Sequence, residues 1–332
     1  FYMKQIGDTG IPISDLVYGC WQMGGDEYWG KSQDEQAVDN IRTAYDLGIH
    51  TFDTAYIYGL GHSECVLGQA LQKIPRENCC VISKLWQMEM HYEDAIRNCE
   101  DSLKRLKTDY LDVYFVHYPD YTGTVPIEET LEAFNLLKEQ GKIRAIGLSN
   151  FSLKQTREAM RYAKIDIVQP CYSLLWRYAD KLLLPFCREQ NISVIPYSPL
   201  AQGLLTGKFH RDNKPTDDRS RVPIFQSPYY EKAVEVVEVL EQLSGENGWT
   251  PAEMALSWVA HQTGITAPIV GFRHKEKIPQ SLNAVSKKLD AEAEERIEKA
   301  SRNFTDQLPF FLNFFDNTIV EDPDKEEQTW SL

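Results

Sequence analysis

HTFDTAYIYGLGHSECVLGQALQKIPRENCCVISK, residues 50–84, holds two short runs rich in β-branched and aromatic residues on either side of an amphipathic stretch. HTFDTA (50–55) and CCVISK (79–84) read as strands, and 62–73 between them as a helix. The same unit recurs along the chain. Further strands are expected at LVYGCW (16–21), DVYFVH (112–117), RAIGLS (144–149), DIVQP (166–170), SVIPYS (193–198) and TAPIVG (266–271). Helices are expected at 34–47, 92–106, 127–140, 153–164, 178–190 and 250–262, with another starting near 275. In the 127–140 stretch, Ile127, Leu131, Phe134 and Leu137 fall at helical spacing, and Gly141 is a natural stop. Eight alternations imply parallel strands joined by crossover helices. A doubly wound sheet and a closed barrel both fit, and strand count and length favour the (β/α)8 barrel, typically ~250 residues plus insertions.

The insertions are visible. Residues 209–228 are polar and proline-bearing, and YYEKAVEVVEVLEQLSGENG (229–248) adds a helix before the last strand. No Pro/Gly/Ser-rich linker divides the chain, so one α/β domain is expected: a TIM barrel over 3–303, followed by a C-terminal tail at 304–332.

Composition narrows the function. The 332 residues carry 35 Lys+Arg against 49 Asp+Glu, a formal net charge of −14, which argues against nucleic acid and anionic membranes as partners. No apolar stretch approaches the ~18 residues of a transmembrane helix, and no basic segment precedes an apolar run, so no signal peptide is expected. The seven Cys lack metal-site spacing and read as buried free thiols of a cytoplasmic protein; no metal site is expected.

Active-site groups of such barrels come from the C-terminal ends of the strands. Asp53, Lys84, His117 and Ser149-Asn150 stand at four of those ends, spaced 31, 33 and 33 residues from Asp53 to Asn150. Taken singly, each has an ordinary structural use as a cap, a surface lysine or a core histidine. Together they converge on one mouth, with Tyr58 in the loop above Asp53. A lysine ending an apolar run needs a carboxylate partner, and Asp53 supplies one. Lys84 is expected to lower the Tyr58 pKa, His117 to hydrogen-bond a substrate oxygen, and Tyr58 to act as general acid or base at a carbonyl. No side chain supplies hydride, so a nicotinamide cofactor is implied.

The run FDTAYIYGLGHSECVLGQAL (52–71), with VISK, YFVHYPD, KIRAIGLSNF and IPYSPLAQGLLTGKF, resembles the aldo-keto reductase family, in the branch that includes potassium-channel β subunits. The similarity covers roughly residues 4–300 in order. It implies a catalytic tetrad of Asp53, Tyr58, Lys84 and His117, and NADP(H) across the barrel mouth, with NAD(H) as the other candidate. By position, Ser149, Asn150 and Gln169 would hold the carboxamide and Tyr197 would stack on the ring. Ser198, Leu200, Gln202, Gly203, Lys208 and Arg219 would hold the diphosphate, with Trp21 also at the cofactor. Gly271 and Arg273 match the last motif, which departs from the family's usual Gln, Glu and Asn at Lys277, Gln280 and Ser281. Arg273 could pair with a 2′-phosphate, Lys277 could add another phosphate contact, and Ser281 could weaken adenine recognition.

Trp21, Tyr28, Trp29, Trp86 and Tyr118 follow strand ends and are expected to line an aromatic substrate pocket. Phe310, Phe311, Phe314 and Phe315 mark the tail, whose function the sequence leaves open. The expected activity is NADP(H)-dependent reduction of an aldehyde or ketone. The rivals are a sugar or polyol dehydrogenase working oxidatively, and a nucleotide-sensing regulatory subunit with little turnover. The expected partner is a small carbonyl or polyol substrate, and the oligomeric state is left open.

Overall fold

The computed structural model describes residues 4–25 and 33–308. Tyr28, Trp29 and the phenylalanines of the tail lie outside those residues. The chain opens with a hairpin, β1 (Lys4–Gln5) against β2 (Pro12–Ile13), paired antiparallel. The strand–helix repeat follows: β3 (Val17–Gly19), α1 (Asp34–Asp46), β4 (Thr51–Asp53), α2 (His62–Leu71), β5 (Cys80–Leu85), α3 (Tyr92–Leu106) and β6 (Leu111–Val116). It continues with α4 (Ile127–Glu139), β7 (Ile143–Ser149), α5 (Leu153–Ala159), β8 (Ile167–Gln169), α6 (Leu183–Glu189) and β9 (Ser193–Val194). After an insertion that contains α7 (Tyr229–Asn247) come α8 (Pro251–Ala260), β10 (Ile269–Gly271), α9 (Ile278–Ser286) and α10 (Ala291–Thr305).

The eight strands β3–β10 form one parallel sheet in the order β10-β3-β4-β5-β6-β7-β8-β9. Backbone bonds from Thr266 N to Val194 O (2.8 Å) and from Ile269 N to Pro196 O (2.9 Å) join its two ends, so the expected (β/α)8 barrel is present. The helices bury apolar faces in one cluster around the barrel. In α3 that face is Ala95, Cys99, Leu103 and Leu106, with Glu93 and Asp94 at the N-terminal turn and Lys104 and Arg105 at the other end, as the helix dipole favours.

A second apolar cluster fills the inside of the barrel. Val17, Cys80, Ile82, Val113, Phe115, Ala145 and Ile167 point inward, and Ile6, Ile11 and Ile13 of the N-terminal hairpin close the bottom. Gly147 is needed there because a Cβ would lie 2.5 Å from the Phe115 ring. Strand side chains alternate with period two, so the next inward positions above this apolar floor are fixed. They are Lys84 above Ile82, His117 above Phe115, Ser149 above Gly147 and Gln169 above Ile167. The fold thus stacks a polar layer on the barrel core at the C-terminal ends of the strands.

Two expected helices are shorter than their patterns. The 178–190 stretch forms a turn at Tyr178–Asp180 and starts α6 only at Leu183, with Pro185 in its first turn, where a missing N–H costs nothing. The 153–164 stretch ends as α5 at Ala159. The sequence pattern predicts neither the N-terminal hairpin nor α10, and α10 runs two residues past the expected domain boundary at 303.

Candidate active site

Lys84 sits at the centre of the polar layer and is fully buried. Its Nζ donates to Asp53 Oδ2 at 2.7 Å, to the Thr54 carbonyl at 2.8 Å and to the Tyr58 hydroxyl at 3.3 Å. An ammonium has three protons, and each has an acceptor. The second oxygen of Asp53 accepts from Gln169 Nε2 at 2.9 Å. From Gln169 a chain of bonds leads outward: Ser149 Oγ donates to the Gln169 carbonyl (3.0 Å), Asn150 Nδ2 to Ser149 Oγ (3.1 Å), and the Tyr197 hydroxyl to Asn150 Oδ1 (2.7 Å). Asn150 also donates to the His117 carbonyl at 3.0 Å. The structure therefore brings Asp53, Tyr58, Lys84, His117, Ser149, Asn150, Gln169 and Tyr197 into one network.

Tyr58 stands between rings. His117 meets it edge-on at 5.8 Å between centroids, and Trp21 lies 6.2 Å away. Its loop is held by a close backbone approach at Gly59, where a Cβ would fall 2.0 Å from the Gly24 carbonyl oxygen.

The electrostatics correct one expectation. Lys84 was expected to lower the Tyr58 pKa, yet burial, reinforced by the Asp53 charge, pushes the phenol well above its usual value. Burial also holds Lys84 below its ordinary value, against the pull of Asp53. Desolvation outweighs the attraction at 3.3 Å, so Tyr58 keeps its proton. His117 is driven well below its usual range by burial and by Lys84, and stays a neutral imidazole.

The network forms part of the wall of a cavity of about 590 Å³. Trp21, Gln22, Ile57, Gln87 and Tyr118, from the loops after β3 to β6, line it beside the polar layer. Ser198, Leu200, Gln202, Gly203, Lys208 and Arg219, from the segment after β9, line it too, as do Gly271 and Arg273 after β10. Ser198, Ala201, Gln202 and Gly203 have φ values of 56°, 46°, 53° and 96°, a run of left-handed turns that bends the backbone along the cavity. Arg219 is set there by an ion pair with Asp217, by a bond from Nη1 to the Gln202 carbonyl (3.1 Å), and by the Phe209 ring 4.9 Å away.

Some expected residues stand elsewhere. Lys277, Gln280 and Ser281 do not line the cavity. They lie where a short helical turn at Lys275–Lys277 leads into the start of α9, and Lys277 Nζ is 3.4 Å from Gln280 Oε1. Trp86 packs on Tyr56 at 6.2 Å instead of lining the pocket. Gln22, Gln87 and Asp217 also line the cavity, beyond the residues expected from the sequence. Asp217 had a signal in its spacing to Arg219, while Gln22 and Gln87 had none.

The donor set fits a dinucleotide. Three cations (Lys208, Arg219 and Arg273), a run of left-handed backbone and the amide-rich belt of Asn150 and Gln169 share one cavity. Two of its lining residues carry buried atoms, His117 Nδ1 and Gln22 Oε1, with no hydrogen-bond partner among the described residues. Also among the described residues, no cluster of His, Cys, Asp and Glu could hold a metal, and no helix is long and apolar enough to cross a membrane.

Residues 15–302 match the model of the Aldo/keto reductase family. The chain is 35% identical over 317 residues to the NADH-specific methylglyoxal reductase of Escherichia coli, covering 88% of this chain and 96% of that one. It is 35% identical over 293 residues to an aldo-keto reductase of Bacillus subtilis, covering 85% and 86%. Among solved structures, the glycerol dehydrogenase of Gluconobacter oxydans superposes with a TM-score of 0.80 at 30% identity, covering 96% of this chain and 98% of that one. An aldo/keto reductase of Klebsiella pneumoniae in complex with NADP and acetate gives 0.73 at 27% identity, covering 95% and 99%.

Proposed function

The chain belongs to the aldo/keto reductase family, and we propose that it reduces a small uncharged aldehyde or ketone at the expense of a reduced nicotinamide nucleotide. The observation that carries this reading is the buried Lys84 ammonium, whose three protons reach Asp53, the Thr54 carbonyl and the Tyr58 hydroxyl at the wall of a cavity with cations elsewhere on its lining.

When bound, the nucleotide supplies the hydride that the carbonyl carbon needs. The protein's own groups handle the oxygen. Tyr58 keeps its proton because of burial, and it is the acid that donates to the oxygen as charge develops there. The resulting tyrosinate lies beside the Lys84 ammonium, which Asp53 keeps charged and oriented. Neutral His117 donates a hydrogen bond to the same oxygen. Burial keeps the phenol in its proton-bearing form, the form from which donation to the oxygen starts.

Ser149, Asn150 and Gln169 would take the carboxamide; Gln169 gives one of its two amide hydrogens to Asp53, and its side-chain oxygen would accept from the ligand. Tyr197 and Trp21 would flank the nicotinamide. Ser198, Leu200, Gln202, Gly203, Lys208 and Arg219 would hold the diphosphate, and Gly271 and Arg273 the adenosine end. Lys277, Gln280 and Ser281 would meet only a part of the nucleotide that extends beyond the cavity. Gln36 and Asn40 fix the Arg273 backbone through its carbonyl. Arg273→Ala is expected to weaken NADPH binding by about tenfold and NADH binding far less, measured by fluorescence titration of both. Equal losses would remove Arg273 from 2′-phosphate recognition.

The substrate is read as uncharged because the described lining residues from the loops after β3 to β6 include aromatic, aliphatic and amide side chains and no cation. The test is a panel of aldehydes, ketones and polyols followed at the reduced-nicotinamide absorbance with NADPH, NADH and their oxidised forms. Turnover of neutral carbonyls over carboxylated ones supports the reading; no turnover of any would refute it. A second reading, polyol oxidation, draws on the likeness to the Gluconobacter glycerol dehydrogenase, and the oxidised-nucleotide arm decides it. Because His117 stays neutral, kcat/KM for reduction is expected to be flat from about pH 7 down to about pH 5.5. A fall with an apparent pKa near the ordinary histidine value would contradict the neutral assignment.

A further inference from the structure

Outside the cavity, α2 and α3 press together beside the loop that carries Tyr58. A Cβ on Gly68 of α2 would lie 2.4 Å from the Arg105 carbonyl oxygen, so the end of α3 is held against α2. Arg105 Nε donates to Glu64 Oε2 at 2.6 Å, and Glu64 is fully buried. The other oxygen of Glu64 accepts from Ser83 Oγ at 2.6 Å. Ser83 directly precedes Lys84, so its side chain leaves the outer face of β5 while Lys84 enters the barrel. The Arg105 guanidinium covers the Tyr56 ring at 4.9 Å from its centroid. Its Cδ fills the space beside Gly61, where a Cβ would fall 2.6 Å away. Tyr56 and Gly61 bracket Tyr58 in the sequence, so one side chain grips the loop on both sides of the proposed acid.

We propose that Glu64 and Arg105 are positioning residues for Tyr58: an ion pair behind the barrel wall that holds the 54–61 loop so that the phenol stays on Lys84. The inference rests on the acid role given to Tyr58 above. Neither residue lines the cavity, so neither touches substrate or nucleotide. Glu64 also acts on Lys84 through the strand, its charge favouring the ammonium against burial. The groups facing Lys84 are Asp53 from β4, Tyr58 from the loop, Cys20 after β3, His117 after β6 and Glu64 from α2, with Arg105 behind Glu64. Removing the Glu64 charge tips this balance toward neutral Lys84.

Arg105→Met is expected to lower kcat by about 10²-fold, the cost of a misplaced reacting group, with nucleotide Kd unchanged. Hydrogen exchange should rise in 54–61 and not elsewhere. Arg105→Lys keeps the charge for Glu64 but lacks the planar face for Tyr56, and should fall between the two. Glu64→Gln should move the alkaline limb of the reductive pH profile to lower pH by about 0.5, which a purely structural ion pair would not do. Wild-type exchange in 54–61, or exchange raised evenly over the chain, overturns the proposal, as does a wild-type kcat in Arg105→Met. If the wild-type protein reduced no carbonyl, the functional reading would fall, and exchange would still decide whether Arg105 holds the loop.

Discussion

Tyr58→Phe is expected to reduce steady-state carbonyl reduction by at least about 10³-fold, within the range that a positioned general acid contributes. The substitution removes one oxygen and leaves the ring between Trp21 and His117. Lys84 loses its longest contact and keeps Asp53 and the Thr54 carbonyl, so the network beneath should persist. Nucleotide affinity should stay within about twofold, because nothing assigned to the nucleotide depends on the hydroxyl. The combination matters: a large fall in kcat with intact binding isolates proton donation from folding. Turnover near wild type would show that the proton comes from elsewhere.

Asp53→Asn attacks the same network from below. It leaves a buried ammonium without its counter-charge, a change that typically costs about 3–5 kcal/mol. The pH dependence gives this prediction its sign. Burial already holds Lys84 below its ordinary value. Between that lowered value and the ordinary one near ~10.4, the unfolded chain binds a proton that folded Lys84 does not, so stability rises with pH across that window. Without the carboxylate the folded value drops further and the window opens toward neutrality. The variant should therefore lose most relative to wild type at about pH 7 and recover part of the deficit at about pH 9. Denaturant unfolding of both proteins at the two pH values checks it. Equal deficits would mean that Asp53 acts on folding by shape, not by charge.

The barrel was legible because its strands are short apolar runs at nearly constant intervals. The same regularity exposed the site: Lys84 and His117 each follow an inward apolar pair, Cys80–Ile82 and Val113–Phe115, so period-two alternation carries them to the mouth. The direction of the Tyr58 shift was not legible. It turns on a contest between desolvation and a charge at 3.3 Å, and neither the burial nor the distance can be read from spacing. Lys277, Gln280 and Ser281 follow from motif position alone, and at the start of α9 they stand off the cavity wall. Gln22 approaches the cavity beside Gly271, where a Cβ would lie 3.1 Å from its Nε2; that contact joins residues 249 positions apart and leaves no local trace. The hairpin that plugs the barrel was missed because two-residue strands carry too little periodicity to stand out.

Charge reads differently with the structure in hand. A chain with a net charge of −14 places Lys208, Arg219 and Arg273 on the lining of one cavity. An anionic nucleotide would be held there by local groups against the field of the whole protein.

The most direct test of the account is the fate of the hydride. Reduction of a neutral aldehyde or ketone with nucleotide deuterated at the transferable C4 position of the nicotinamide should place one deuterium on the carbinol carbon of the alcohol. The same reaction with ordinary nucleotide in heavy water should place none on that carbon. Solvent deuterium at the carbinol carbon, or product without label from the nucleotide, would contradict hydride transfer paired with proton donation from Tyr58.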